Sequence, residues 1–145
     1  MCTNLVSGSH SVYDCVYHLE WCPKYRFNVL GKDTSKADME TILKQIAKEH
    51  EMVVEELAVM PDHVHIVVRA KPSMSLSKAT QLLKGRSSYE FFRKHPNMRL
   101  RYKRGHFWAP SSCYLTTGDV DLERTKEYVR NQQDIHQKTL SCWGN

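Results

Sequence analysis

The apolar positions of this chain follow two periods, and the changes between them mark its elements. Val12 to Trp21 is rich in Val, Tyr and Trp and stops before Pro23, which is the pattern of a strand. Asn28 to Ser35, with Gly31 and Asp33, reads as a loop. Met39, Ile42, Leu43, Ile46 and Ala47 then recur at three and four residues, the period of a half-buried helix that Ser35 or Asp38 can cap. Val53 to Met60 and His63 to Ala70 are β-rich runs on either side of Pro61-Asp62, so they predict an antiparallel hairpin. After Pro72, Ser75 or Ser77 can start a helix through Leu76, Ala79, Leu82 and Leu83. Gly85 is expected to interrupt that helix before Tyr89, Phe91 and Phe92, and His95-Pro96 to end it. Residues 97–105 read as a basic connection, and Phe107-Trp108 and Cys113 to Thr116 as short strands. Gly118-Asp119 breaks the pattern, and a final helix is predicted over about 121–137, with Asp121 as its N-cap.

The resulting order, β-α-β-β-α-β-α, predicts an α+β fold. Its form is a ferredoxin-like or RRM-like antiparallel sheet with helices on one face and a further helix at the C-terminus. At 145 residues the chain is expected to be a single domain, 1–145, around one core.

Composition narrows the setting. No apolar run approaches the roughly 20 residues a spanning helix needs, so no membrane partner is expected. Met1 to Ser11 lacks the basic start and apolar block of a secretory signal. The 5 cysteines are odd in number and form no CxxC pair, which suits reduced thiols in a cytoplasmic protein. The formal charge of +5 favours an anionic partner. Lys24 and Arg26 flank Tyr25, Lys84 and Arg86 flank Gly85, and Arg99, Arg101, Lys103 and Arg104 surround Tyr102. Basic residues interleaved with aromatics suit a surface that neutralises phosphates and stacks bases, and three such clusters together point to nucleic acid.

The strand that opens on His63-Val64-His65 carries the first candidate chemistry. Side chains two apart in a strand share a face, roughly 6.5 to 7 Å apart, so His63 and His65 can converge on one cation while Val64, Ile66 and Val68 pack the other side. An ordinary hydrogen-bonded pair is the plain alternative for an isolated HxH, but the surrounding apolar positions imply a strand covered on both faces, where a polar pair needs partners. Two imidazoles do not complete a metal site. The last helix offers a third ligand in the amide oxygen of Gln132, with Tyr128 one turn away on the same stripe. Leu122, Val129 and His136 lie on a neighbouring stripe that can face the core.

These motifs, in this order, resemble the single-tyrosine HUH transposases of small insertion sequences, which move as single-stranded DNA. His63-Val64-His65 matches the family's His-hydrophobic-His motif, and Tyr128 to Gln132 its Tyr-x3-Gln helix. The stretch His18 to Arg26, the hairpin Met60 to His65, Leu83-Lys84-Gly85 with Ser87-Ser88, Phe107-Trp108 and Tyr114 to Gly118 follow in the family's order. The resemblance implies that the C-terminal helix is catalytic, that His63, His65 and Gln132 hold one divalent ion (Mg²⁺ or Mn²⁺), and that Tyr128 attacks the scissile phosphate to give a 5′-phosphotyrosine. It also implies a homodimer with active sites completed in trans, acting on single-stranded DNA with hairpin ends. Lys24, Arg26, Lys84, Arg86, Arg101, Lys103 and Arg104 are candidate DNA contacts on charge and position. Glu20 departs from the apolar residue expected in the first strand, and reads either as a partner for a histidine or as solvent-facing. Ala109 to Cys113 departs from the basic, glycine-containing turn of the family. Three other readings stand beside this one. A non-catalytic single-strand nucleic-acid-binding module would share the sheet. A zinc hydrolase would use His63 and His65 with Cys15, His18 or Cys22. A domesticated or replication-type HUH nickase would share the active site.

Overall fold

The computed structural model describes residues 15–117 and 122–132. Strand β1 (Cys15–Trp21) leads through a single 3-10 turn at Lys24–Arg26 to helix α1 (Asp33–Glu49). The hairpin β2 (Val53–Met60) and β3 (His63–Ala70) follows, then α2 (Leu76–Lys94), the short α3 (Pro96–Arg99) and β4 (Cys113–Thr117). A final helix, α4, covers residues 122–132. The four strands form one antiparallel sheet in the order β2-β3-β1-β4, so the histidine strand is interior, as its apolar run predicted. The predicted starts of the first strand and of the last helix, with its Asp121 cap, lie outside the described residues, as does its end near 137.

Strand alternation divides the molecule into two faces. Tyr17, Leu19 and Trp21 of β1 join Val64, Ile66 and Val68 of β3 in the main core, which Met39, Leu43 and Ile46 of α1 and Leu83 and Phe91 of α2 close. Val16, Ala58, Met60 and Val67 point the other way and pack against Leu122 and Val129 of α4. The expectation of helices on one face therefore holds for α1 and α2, and the C-terminal helix takes the opposite face. That second seat is small, and ion pairs reinforce it: Arg130 to Glu56 at 2.9 Å and Lys126 to Glu55 at 3.6 Å.

Four local expectations change. α1 starts at Asp33 after Lys32 in extended conformation, so neither Ser35 nor Asp38 caps it. Asp38 is held instead by His95, whose Nε2 lies 2.8 Å from its carboxylate. Gly85 does not interrupt α2, which runs unbroken from Leu76, with Ser75 Oγ accepting from the Lys78 amide at 3.1 Å. A glycine lowers helix stability without forbidding it. Phe107-Trp108 forms no strand of its own: Trp108 makes one antiparallel bridge to Pro23. Cys15 takes part in a disulfide, whereas Cys22 is free. Spacing alone could not foresee that pairing. Among the described residues, no helix is long and apolar enough to cross a membrane.

Candidate metal and nucleophile site

The face that carries α4 also carries a polar cluster. His18 and Glu20 on β1 have the parity of buried Val16, and His63 and His65 on β3 have that of Val67, so all four emerge beside α4. Register does the rest, since Glu20 pairs with His65 across the two central strands. Glu20, His63 and His65 each present a ligand atom within 4.8 Å of the others, a geometry that can hold a metal ion. His65 is 2% exposed. Its Nδ1 lies 3.7 Å from the Glu20 carboxylate and 3.3 Å from His18 Nε2.

The surroundings fix these rings electrostatically. Burial, with the neighbouring His63 and His18, pulls His65 down to about 4. Burial also lowers His18, against the opposing pull of Glu20. His65 is therefore neutral near pH 7, with a lone pair available to a cation. His63 Nδ1 lies 2.7 Å from Asp62 Oδ1, and Arg26 Nε donates to the other Asp62 oxygen at 3.1 Å. Burial alone would raise Asp62, but the hydrogen bonds and charges of His63 and Arg26 outweigh it and hold the carboxyl below its usual range. Asp62 is placed by the tight β2–β3 turn, and that turn is pinned from outside by the Leu30 amide donating to Pro61 O at 3.0 Å.

Tyr128 stands at the edge of this cluster. Its ring centroid is 6.0 Å from that of His65 and 6.3 Å from that of His18, edge-on to both. The side chain is 51% exposed, because Val129 rather than Tyr128 turns into the sheet. Gln132 follows one turn later on the same stripe and is half-buried. The predicted histidine pair and tyrosine thus meet on one face, and two further residues join them. From sequence, Glu20 reads as a histidine partner or a solvent-facing acid, and His18 only as one of several ligands of an alternative zinc site. Their meeting with His65 depends on strand register, which no local signal states.

The predicted basic contacts are spread around the molecule. Arg26 holds Asp62. Lys84 Nζ donates to Ala109 O at 2.7 Å and to Ser112 Oγ at 2.9 Å, and burial lowers its ammonium below the usual lysine range. It therefore ties down the 109–112 loop, whose Ser111 and Ser112 line a pocket with Glu20, Arg26 and His63. Arg86 pairs with Glu49 and Glu90. Lys24 lies over the Tyr25 ring and Arg101 over Phe27. Lys103 and Arg104 are exposed.

Comparison with known proteins places this architecture. The family described as "Transposase IS200 like" matches residues 11–132, and the chain belongs to it. It is 34% identical over 127 residues to the ISDra2 transposase TnpA of Deinococcus radiodurans, spanning 88% of this chain and 90% of that protein. It is 25% identical over 126 residues to the transposase for insertion sequence element IS200 of Salmonella typhimurium, spanning 87% and 82%. Among solved structures, the crystal structure of a putative transposase from Deinococcus radiodurans R1 superimposes with a TM-score of 0.71 at 33% identity, covering 88% of this chain and 97% of that one. A REP-associated tyrosine transposase bound to a REP hairpin shares the fold, with a TM-score of 0.63 at 12% identity over 90% of this chain and 74% of that one.

Proposed function

We propose that this transposase cleaves and rejoins single-stranded DNA at insertion-sequence ends through a 5′-phosphotyrosine on Tyr128, assisted by a divalent cation. The observation that carries this reading is the juxtaposition of the Tyr128 ring, 6.0 Å from that of His65, with the converging ligand atoms of Glu20, His63 and His65. Two imidazoles and a carboxylate form a fitting donor set, and Gln132 on α4 supplies an amide oxygen as a further ligand. With phosphate oxygens and water completing the coordination, Mg²⁺ or Mn²⁺ suits the site. When bound, the cation would polarise a non-bridging phosphate oxygen and stabilise charge developing at phosphorus.

The protein's own residues account for the rest. Asp62 holds His63 in one ring orientation, and His18 does the same for His65. The half-exposed phenol of Tyr128 can release its proton to water and approach phosphorus. Its oxygen forms the new P–O bond as the bond to the 3′ oxygen breaks, and that oxygen takes up a proton to leave a free 3′-OH. One phosphodiester is exchanged for another, so a 3′-OH from a second strand can reverse the step and join DNA without an external energy source.

Two cleavage sites must be brought together for strand exchange, and a homodimer supplies them. α4 rests on the sheet through Leu122 and Val129, a small apolar contact. An identical seat exists on a second copy, so the tyrosine helix can complete the partner's site. Hairpin ends are the DNA feature we expect the basic surface to engage, with Lys24, Arg26, Lys84, Arg86, Arg101, Lys103 and Arg104 as its candidates.

The test incubates the protein with Mn²⁺ or Mg²⁺ and end-labelled single strands from its own element. A covalent protein–DNA band is expected, lost in Tyr128→Phe and weakened in His63→Ala, His65→Ala and Gln132→Ala. Glu20→Gln should weaken metal binding by about 10-fold or more. Intact DNA under every metal condition would instead identify a binding module.

A further inference from the structure

Beyond the catalytic cluster, the turn after β1 is built in an unusual way. Tyr25 and Arg26 are consecutive non-glycine residues in the left-handed region, at φ 64° and 52°. L-residues rarely adopt that conformation, and such strain persists only where neighbouring structure enforces it. Here it is enforced from both sides. The Lys24 amide donates to Phe107 O at 2.8 Å, the Arg26 amide donates to Pro23 O at 2.8 Å, and Pro23 bridges to Trp108.

The strained turn has two consequences. It sends Arg26 across the surface to Asp62, the residue that holds His63. It sends Tyr25 outward, where the ring is 63% exposed, one of the most exposed large apolar side chains among the described residues. That ring does not hang free. It lies nearly parallel to Tyr102, at 13° and 6.5 Å between centroids, and 5.3 Å from Phe27. Tyr102 is 1% exposed and fixed between Phe27, Phe92 and Phe107. Lys24 Nζ lies 5.4 Å from the Tyr25 centroid, and the Arg101 guanidinium 5.5 Å from that of Phe27. An exposed ring backed by a rigid cluster, with a mobile lysine over it and an arginine over the neighbouring Phe27, can stack a base once the lysine turns to its phosphates.

We infer that Tyr25 is a stacking platform for an unpaired nucleobase of the DNA strand whose phosphate occupies the histidine site. The inference rests on the proposed reaction for its substrate. Its location follows from the Arg26–Asp62–His63 chain, which ties the platform to the site through two residues, Arg26 and Asp62. Because any base offers a π-face, the platform selects for an unpaired nucleotide and fixes its position along the strand, leaving sequence to be read elsewhere.

The test places 5-iododeoxyuridine in turn at each nucleotide flanking the cleaved bond of single-stranded oligonucleotides from the element's ends. Samples are irradiated with the metal-loaded protein and the cross-linked peptide is mapped. Cross-linking to Tyr25 is expected at one nucleotide position, lost in Tyr25→Leu and retained in Tyr25→Trp. Tyr25→Leu should weaken binding of the same strand by about 10-fold, and Tyr25→Trp should retain it. No cross-link to Tyr25 at any position, or equal affinity in Tyr25→Leu, overturns the platform. The covalent adduct is scored in the same samples. Adduct formation without a Tyr25 effect rejects the platform alone, whereas a Tyr25 cross-link without adduct rejects the cleavage reaction and keeps the platform.

Discussion

At the scale of single residues, the site is defined by how burial treats His65. The ring is enclosed by the sheet, by α4 and by two other imidazoles, and the loss of solvation outweighs the Glu20 carboxylate 3.7 Å from its Nδ1. Its folded value of about 4 lies below the ordinary histidine value of 6.5. In metal-free protein the unfolded chain therefore takes up a proton before the fold does. Stability supplied by neutral His65 is fully present above about pH 6.5 and is lost as pH falls through about 4, roughly 3 kcal/mol in all. His18, also lowered, acts in the same direction. Urea midpoints measured in EDTA at pH 7 and pH 4.5 should fall steeply for the wild type and much less for His65→Gln; equal slopes would mean that the ring is not held neutral by its surroundings. The spacing of His63 and His65 was legible in the sequence because strand alternation is a local rule. For Glu20 the sequence leaves two readings, partner of a histidine or solvent-facing, and only the pairing with His65 on a distant strand decides for the first. The disulfide at Cys15 was not legible, since spacing does not encode connectivity.

The secondary-structure elements were read well where periodicity was strong and less well at their ends. The β2–β3 hairpin, the close of α2 at His95-Pro96 and the Ser75 cap all follow from turn and capping chemistry. Gly85 misled because helix propensity is a weak local term that α2 overrides by packing Ala79, Leu83 and Phe91 into the core. A β-carbon added at Gly85 would meet nothing within 4 Å, so the site tolerates alanine. Gly85→Ala is expected to stabilise the protein by about 1 kcal/mol, seen as a rise of about 3 °C in melting temperature. A lower melting temperature would show that the glycine is required by the folded helix itself. The apolar stripe of Leu122 and Val129 says that a helix packs but not where; only the reading of Gln132 as a ligand beside His63 and His65 pointed to the histidine face.

For the molecule as a whole, one antiparallel sheet serves two purposes. α1 and α2 cover one face and supply most of the core, which leaves the other face free to carry four polar side chains and a lightly seated helix. Under the proposed exchange, the chain would keep its main core while α4 moved to the sheet of a partner. If α4 completes the partner's site, mixing His63→Ala with Tyr128→Phe subunits regenerates one intact site per mixed dimer. The covalent band should then reappear, carried by the His63→Ala chain. If α4 serves only its own sheet, each mixed dimer holds two defective sites and the mixture stays inactive.

The most direct measurement is peptide mapping by mass spectrometry of the covalent protein–DNA species formed with a divalent cation. We expect a nucleotide linked through phosphate to the peptide containing Tyr128, and no such species after chelation. A phosphate bond to any other residue, or an adduct that forms equally well without metal, would contradict it.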